Sequence, residues 1–356
     1  MKLKENAKYD LITISSMGVR ITPVNSQPVH TSNLFQMEST SAETNVLNIS
    51  ASLGLHTLVL TKFVQNSPIA NFIQGELRKR NIIYMGKEVL QDGPWGYRHQ
   101  MNVADSGYGT RGPRVYNDRA GEVGRTISAS DFDLEDIFVK KGCKILHISG
   151  LFLALSEDTT ASCLEIAKKA KENGTMISFD INYRASFWKN REKELRESFK
   201  SIAKMADVLI GNEEDFQLGL GMKGPAGDKD ISKKEKSFKK MILNAKKEYP
   251  NVKIFATTLR KVESANQHMW GAIMKTEKGW ICEKPREIQV YDRIGGGDGF
   301  VGGLLYGILK NWETKKAMSF AWATGALATT LETDYATPTD EKQIWSIYHG
   351  NARIKR

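Results

Sequence analysis

The run Asp292-Arg293-Ile294-Gly295-Gly296-Gly297-Asp298-Gly299-Phe300-Val301-Gly302-Gly303 holds the residue types best suited to chemistry. Three successive glycines follow a strand-like stretch. They open a segment whose apolar positions 300, 301, 304, 305, 308 and 309 recur at helical spacing. Consecutive amides at the start of a helix, with no side chains in the way, make a site for a phosphate or for negative charge that develops in a reaction. A carboxylate at that positive end is favoured in its charged form. Asp298 therefore reads either as a helix cap or as a base aimed at a hydroxyl held near the phosphate. The pattern is not a P-loop, because no Gly-Lys-Ser/Thr follows the glycines.

Other chemistries find less support. The six histidines (30, 56, 99, 147, 268 and 349) show no HxH or HExxH spacing, so a histidine metal centre is not expected. Ser149-Gly150 follows a strand-like run, but Gly-x-Ser-x-Gly is absent. The three cysteines are far apart and form no CxxC pair, which points to a reducing cytoplasm and away from a disulfide framework. Net charge is +10, and the lysines cluster in helix-like stretches such as 168–171 and 233–240 among apolar positions. Solvated helix faces explain them better than a nucleic-acid stripe, since no RNA-binding aromatic motif or zinc-finger spacing is present. No apolar run approaches the length of a membrane span, and residues 1–10 carry no apolar core of a secretory signal.

The elements that must position this chemistry follow from periodicity. Residues 9–15 predict a strand, and 18–37, interrupted by Pro23 and Pro28, predict edge strands or a flap. Apolar residues at 42, 46, 49 and 53 predict a helix stopped by Gly54; 56–63 predict a strand, and a helix runs on to Arg80. Residues 92–125, rich in glycine and arginine, read as exposed hairpins. Strand and helix then alternate: strands at 144–148, 176–180, 207–210 and 253–257, helices at 158–172, 191–205 and from Asn212. A glycine-rich break at 219–227 precedes a lysine-rich helix to Glu248. Strands at 269–275, 279–283 and 287–291 lead to the glycine cluster and a helix over about 297–310. This alternation predicts an α/β fold with a mostly parallel central sheet, helices on both faces, and ligands beyond the carboxyl ends of the strands. At 356 residues, 40% of them apolar, a single domain over 1–356 is expected, with a discontinuous β lid from about 15–37 and 95–118.

The glycine segment resembles the C-terminal signature of the ribokinase-like (PfkB) carbohydrate kinases, Asp-Thr-x-Gly-Ala-Gly-Asp-x-Phe-x-x-Gly. Asp292, Gly295, Gly297, Asp298, Phe300 and Gly303 match, while Arg293 and Gly296 replace the usual Thr and Ala. Asp180-Ile181-Asn182-Tyr183-Arg184 is similar to the Asp-x-Asn-Tyr-Arg motif of the 2-keto-3-deoxygluconate kinase branch. Asn212-Glu213-Glu214-Asp215 resembles the family's Asn-x-x-Glu, and 114–119 resembles the segment carrying that branch's second substrate arginine. The stretch from Ala42 through Asn45 to Gly54 resembles its N-terminal helix. The pattern departs from the family at Ser15-Ser16, where Gly-Glu or Gly-Asp is usual, and at Thr40-Ser41, where Gly-Gly is usual.

The resemblance implies a ribokinase-like fold and ATP-dependent phosphorylation of a primary hydroxyl on a sugar or sugar acid, with 2-keto-3-deoxygluconate the first candidate. It implies that Asp298 takes the hydroxyl proton and that the amides of Gly295, Gly296 and Gly297 hold phosphoryl oxygens. Arg184 and Arg119 suit a sugar carboxylate or keto oxygen, or else pair with surface acids. Asn45, Ser16, Thr40 and Ser41 fall where the family receives the sugar. Asn182, Asn212, Thr258 and Arg260 fall on the nucleotide side, with Arg260 equally able to cap a strand end. Asn212 and Asp215 would orient Mg2+ through water. The partner implied is a small-molecule sugar or sugar acid, and neither nucleic acid nor membrane is implied; the exposed edges of the lid strands themselves predict pairing with a second copy, as a homodimer or an assembly of dimers. A kinase for another sugar, or a catalytically silent relative that senses sugar or nucleotide, stays open.

Overall fold

A computed structural model of the chain describes residues 2–224 and 231–351. Positions 225–227 of the expected glycine-rich break lie outside them. In chain order come β1 (Tyr9–Ile14), β2 (Gly18–Pro23), β3 (Phe35–Thr40), α1 (Ala42–Ser52), β4 (Thr57–Val64), α2 (Pro68–Lys79) and β5 (Ile83–Val89). They are followed by β6 (Gln100–Asp105), β7 (Arg114–Asp118), β8 (Cys143–Ser149), α3 (Gly150–Leu153), α4 (Glu157–Glu172), β9 (Met176–Asp180), α5 (Ala185–Trp188), α6 (Glu192–Met205) and β10 (Val208–Ile210). The rest of the order is α7 (Ile231–Glu248), β11 (Ile254–Val262), β12 (Gln267–Thr276), β13 (Gly279–Gln289), α8 (Gly296–Leu309), α9 (Thr314–Ala328) and α10 (Glu341–Tyr348). The chain forms two compact units. One comprises Met1–Ile14, Arg125–Lys261 and Gly271–Pro285; the other comprises Ser15–Gly124, Val262–Trp270 and Arg286–Arg356.

The first unit is built on strands in the order β13-β12-β11-β10-β9-β8-β1. From β11 to β1 the neighbours are parallel, with Ile254 opposite Val208, Val208 opposite Ser178, Met176 opposite Ile145 and Ile145 opposite Leu11. Near-continuous apolar strands suit a sheet covered on both faces, and Ile145, Leu146, Ile148, Ile177, Phe179 and Leu209 are fully buried. Helices α4 and α6 pack against these strands. Helix α4 starts at a Ser156 N-cap and ends at Asn173 before Gly174, whose φ of 75° suits a residue without a Cβ. The strand expected at 253–257 is longer: β11 runs to Val262, so Thr258 and Arg260 stand on the strand and not in a loop beyond it.

The second unit contains a small sheet in the order β3-β2-β6-β7 and the parallel pair β4–β5. Strand β2 is antiparallel to β3, with Arg20 opposite Glu38, and parallel to β6, with Gly18 opposite Gln100; β6 is antiparallel to β7. These strands correspond to the expected flap, but the segment 92–125 is not wholly exposed. Gln100 and Asp105 are buried at the ends of β6, an inner strand, and His99, Glu122 and Val123 are buried as well. Helix α8 is buried nearly all round, which explains why its apolar residues outnumber a single stripe. Its glycines admit close neighbours: a Cβ on Gly302 would stand 2.6 Å from the Val46 carbonyl in α1, and one on Gly303 2.0 Å from Thr324 Oγ1 in α9. Periodicity gave no sign of β5, α3, α9 or α10. Strand β5 is interrupted by Gly86, where a Cβ would meet the Phe63 ring at 2.4 Å, and α9 is apolar all round and lacks a side-chain N-cap.

Candidate active site

In the second unit, the glycine turn is shaped by what surrounds it. Gly295 is the N-cap of α8 with φ of 79°, and a Cβ there would lie 1.7 Å from the Asp334 carbonyl oxygen. Only glycine fits that combination of positive φ and backbone contact. Gly297 differs, since a Cβ there would meet nothing within 4 Å. The first turn of α8 thus opens onto space a bound anion can fill, at the helix's positive end. Asp298 is not the N-cap but a first-turn residue, half-buried, and its Oδ2 accepts a 2.9 Å hydrogen bond from Asn45 Nδ2 of α1. The structure therefore joins Asn45, Asp298 and the glycine turn within one unit.

The Asp292 carboxylate is fully buried, accepts the Ile294 N–H at 2.9 Å, and pairs with Arg20. Arg20 also pairs with Asp334, which accepts the Thr40 hydroxyl at 2.7 Å and donates its backbone N–H to Glu38 at 3.2 Å. Burial, reinforced by the Asp334 charge, pushes the Glu38 carboxyl up to about 9; burial also raises Asp292. The sequence reading missed Arg20, Glu38 and Asp334. A lone arginine between Val19 and Ile21 was the available signal, but a strand taken as an exposed flap gives no reason to expect the charge inside.

The remaining residues predicted for the sugar side hold polar contacts of their own. Ser16 donates its hydroxyl to Glu122, and Ser15 donates to Glu43 at 2.6 Å. Buried carboxylates of Glu122 and Glu43 thus stand beside the serines that replace the family's usual Gly-Glu or Gly-Asp, and sequence reasoning missed both. Arg119 makes a 2.7 Å ion pair with the same Glu122. Ser41 caps α1 through the Thr44 N–H at 3.1 Å, and Thr40 is committed to Asp334.

In the first unit, Asn182, Arg184, Asn212 and Asp215 follow the carboxyl ends of β9 and β10, while Thr258 and Arg260 lie within β11. Asn182, held at φ of 39°, donates Nδ2–H to Ser149 Oγ at 3.2 Å. Asp215 accepts the backbone N–H of Tyr183 at 2.9 Å and of Asn212 at 2.8 Å, while Asn212 Oδ1 accepts the Asp215 N–H at 3.0 Å. Burial raises the Asp215 carboxyl, and those N–H groups and Arg184 oppose the rise. Arg184 is exposed and donates to the Tyr183 carbonyl at 2.8 Å. Among the described residues no group of three or more His, Cys, Asp or Glu could hold a metal ion. No described helix is long and apolar enough to cross a membrane.

Comparison with known proteins places the chain among carbohydrate kinases. Residues 19–340 match the pfkB family carbohydrate kinase pattern. A 2-dehydro-3-deoxygalactonokinase of Haloferax volcanii is 24% identical over 98% of this chain and 99% of its own. A 5-dehydro-2-deoxygluconokinase of Clostridium perfringens is 24% identical over 92% of this chain and 89% of its own. The crystal structure of a 2-dehydro-3-deoxygluconokinase from Thermotoga maritima superposes with a TM-score of 0.86 at 27% identity, covering 96% of this chain and all of that one.

Proposed function

The chain belongs to the pfkB family of carbohydrate kinases, and from that premise we propose that it phosphorylates the primary hydroxyl of a keto-deoxy sugar acid, with 2-keto-3-deoxygluconate the first candidate. The observation that carries the reading is the Asn45–Asp298 hydrogen bond beside a glycine turn open at Gly297. The Asp298 carboxylate takes the hydroxyl proton as the new O–P bond forms and the bond to the nucleotide breaks. Asn45 fixes the orientation of that carboxylate. The amides of Gly295, Gly296, Gly297 and Asp298 stabilise charge on the transferring oxygens, with the α8 dipole behind them. Arg184, with an exposed guanidinium, grips the sugar carboxylate. Asn182, Asn212, Thr258 and Arg260 would hold the nucleotide, and Asn212 and Asp215 would hold a hydrated Mg2+, which would supply positive charge to the phosphates.

The small sheet serves as a lid that excludes water from the sugar. Its outer strands β3 and β7 expose Phe35, Met37, Val115 and Tyr116, which suit pairing with a second copy of the chain. A second sugar class has a specific observation in its favour. The buried Glu43 and Glu122, joined to Ser15 and Ser16, would take hydroxyl donors and oppose a carboxylate.

The test is ADP release measured with 2-keto-3-deoxygluconate, 2-keto-3-deoxygalactonate, 5-keto-2-deoxygluconate and their neutral counterparts. Preference for an acid supports the reading; preference for a neutral sugar supports the second, and no turnover with any overturns both.

A further inference from the structure

Arg20 is 1% exposed and lies in β2, directly opposite Glu38 of β3. Its guanidinium pairs with Asp292 on one side and Asp334 on the other, and Glu38 Oε1 stands 3.8 Å away. Thr40, also in β3, completes the cluster through its 2.7 Å bond to Asp334. The two aspartates belong to the two segments that form the glycine turn. Asp292 accepts the Ile294 N–H just before Gly295, and the Asp334 carbonyl occupies the space next to Gly295. The backbone of the first segment is in turn tied at Tyr291 and Asp292 to the Thr329 carbonyl.

Such a cluster is a poor way to gain stability, because removing one cation and three carboxyls from water costs about as much as their attraction returns. Its value lies in geometry. A planar guanidinium fork satisfies two carboxylates only in one relative arrangement. The geometry points to Arg20 as a positioning residue that locks the two segments around Gly295 and ties the glycine turn to β2 and β3 of the small sheet. Order on the sugar-facing sheet and order in the anion-binding turn are then one event. An anion turn formed only together with the sheet limits transfer to water. The kinetic part of this inference rests on the kinase reading above; the structural part does not.

The substitution that tests it is Arg20→Lys, which retains the buried positive charge but cannot bridge both carboxylates. Hydrogen exchange is followed at the bonded amides of Tyr291, Asp292, Ile294 and Asp334. Exchange there should accelerate at least about tenfold, with amides in the interior of α8 and α9 changed less than about threefold. Unchanged exchange at the four amides, or equal acceleration throughout α8 and α9, overturns the proposal. If Arg20→Lys does not fold, Thr40→Val keeps every charge and removes one bond to Asp334; faster exchange at Ile294 and Asp334 is expected, and none overturns the proposal. With any sugar that the parental protein phosphorylates, Arg20→Lys should release more than one ADP per sugar phosphate, a ratio that loss of folded protein leaves at one. A ratio of one in folded Arg20→Lys removes the coupling. Absence of turnover in the parental protein contradicts the kinase reading and leaves the exchange result to decide the role of Arg20.

Discussion

Asn45 and Asp298 meet across the α1–α8 contact, Nδ2 to Oδ2 at 2.9 Å. The contact is close because Gly302 lets the Val46 carbonyl approach α8. Asn45 is 3% exposed, so its amide is held by packing and the carboxylate is held by the amide. A base needs that fixed orientation, whereas a capping carboxylate needs only its own helix.

Gly295 and Gly297 should respond to alanine in opposite ways. Gly295→Ala combines φ of 79° with a backbone clash at 1.7 Å and should lower stability by more than about 1–3 kcal/mol, the usual cost of left-handed strain alone. Gly297→Ala meets nothing within 4 Å, so the melting temperature should stay within a few degrees or rise. Its methyl group nonetheless enters the space proposed for phosphoryl oxygens, and kcat should fall by about tenfold or more. Thermal melting and kcat measured on both variants check this; an active Gly297→Ala would remove the turn from the reaction.

Glu38 gives a prediction in pH. Its folded-state value, pushed up to about 9 from an ordinary 4.5, means that the folded chain holds a proton which the unfolded chain releases over that interval. Stability should therefore fall as pH rises between about 5 and 9, by at most one proton's worth, about 1.4 kcal/mol per pH unit. Glu38→Gln should flatten this slope. Melting temperatures across that range measure it, and an identical slope in both proteins would show that Glu38 is ionised throughout.

Much of this was legible in the residues. The glycine turn, the strand–helix alternation from 143 onward and the α1 helix all depend on local signals: glycine conformation, apolar period and caps. The charge cluster was not, because Arg20 lies more than 270 positions along the chain from Asp292 and Asp334. Thr40 shows the same limit. Its place in the chain suggested a sugar contact, and only the fold reveals the Asp334 carboxylate beside it. Strand β5 and helix α9 were illegible for a different reason. A glycine-interrupted strand and a helix without a polar face carry no period to read.

Arg184 and Arg119 should separate in mutagenesis. Arg184→Ala should raise KM for an acidic sugar by about 10–150-fold, the loss of one charge-assisted contact, with little change in melting temperature because the side chain is exposed. Arg119→Ala leaves the buried Glu122 without its cation and should lower stability as well as activity. Steady-state kinetics and melting on the two variants distinguish them. Equal KM effects of Arg184→Ala on acidic and neutral sugars would remove the carboxylate role.

The most direct measurement is kcat for Asp298→Asn with the sugar that the parental protein phosphorylates fastest. Asparagine keeps the shape and the bond to Asn45 but cannot take a proton. The account predicts a fall in kcat of at least about 10²-fold, with ATP affinity within about threefold of the parental value. Near-parental kcat in Asp298→Asn would contradict it and leave Asp298 as a residue of the helix start alone.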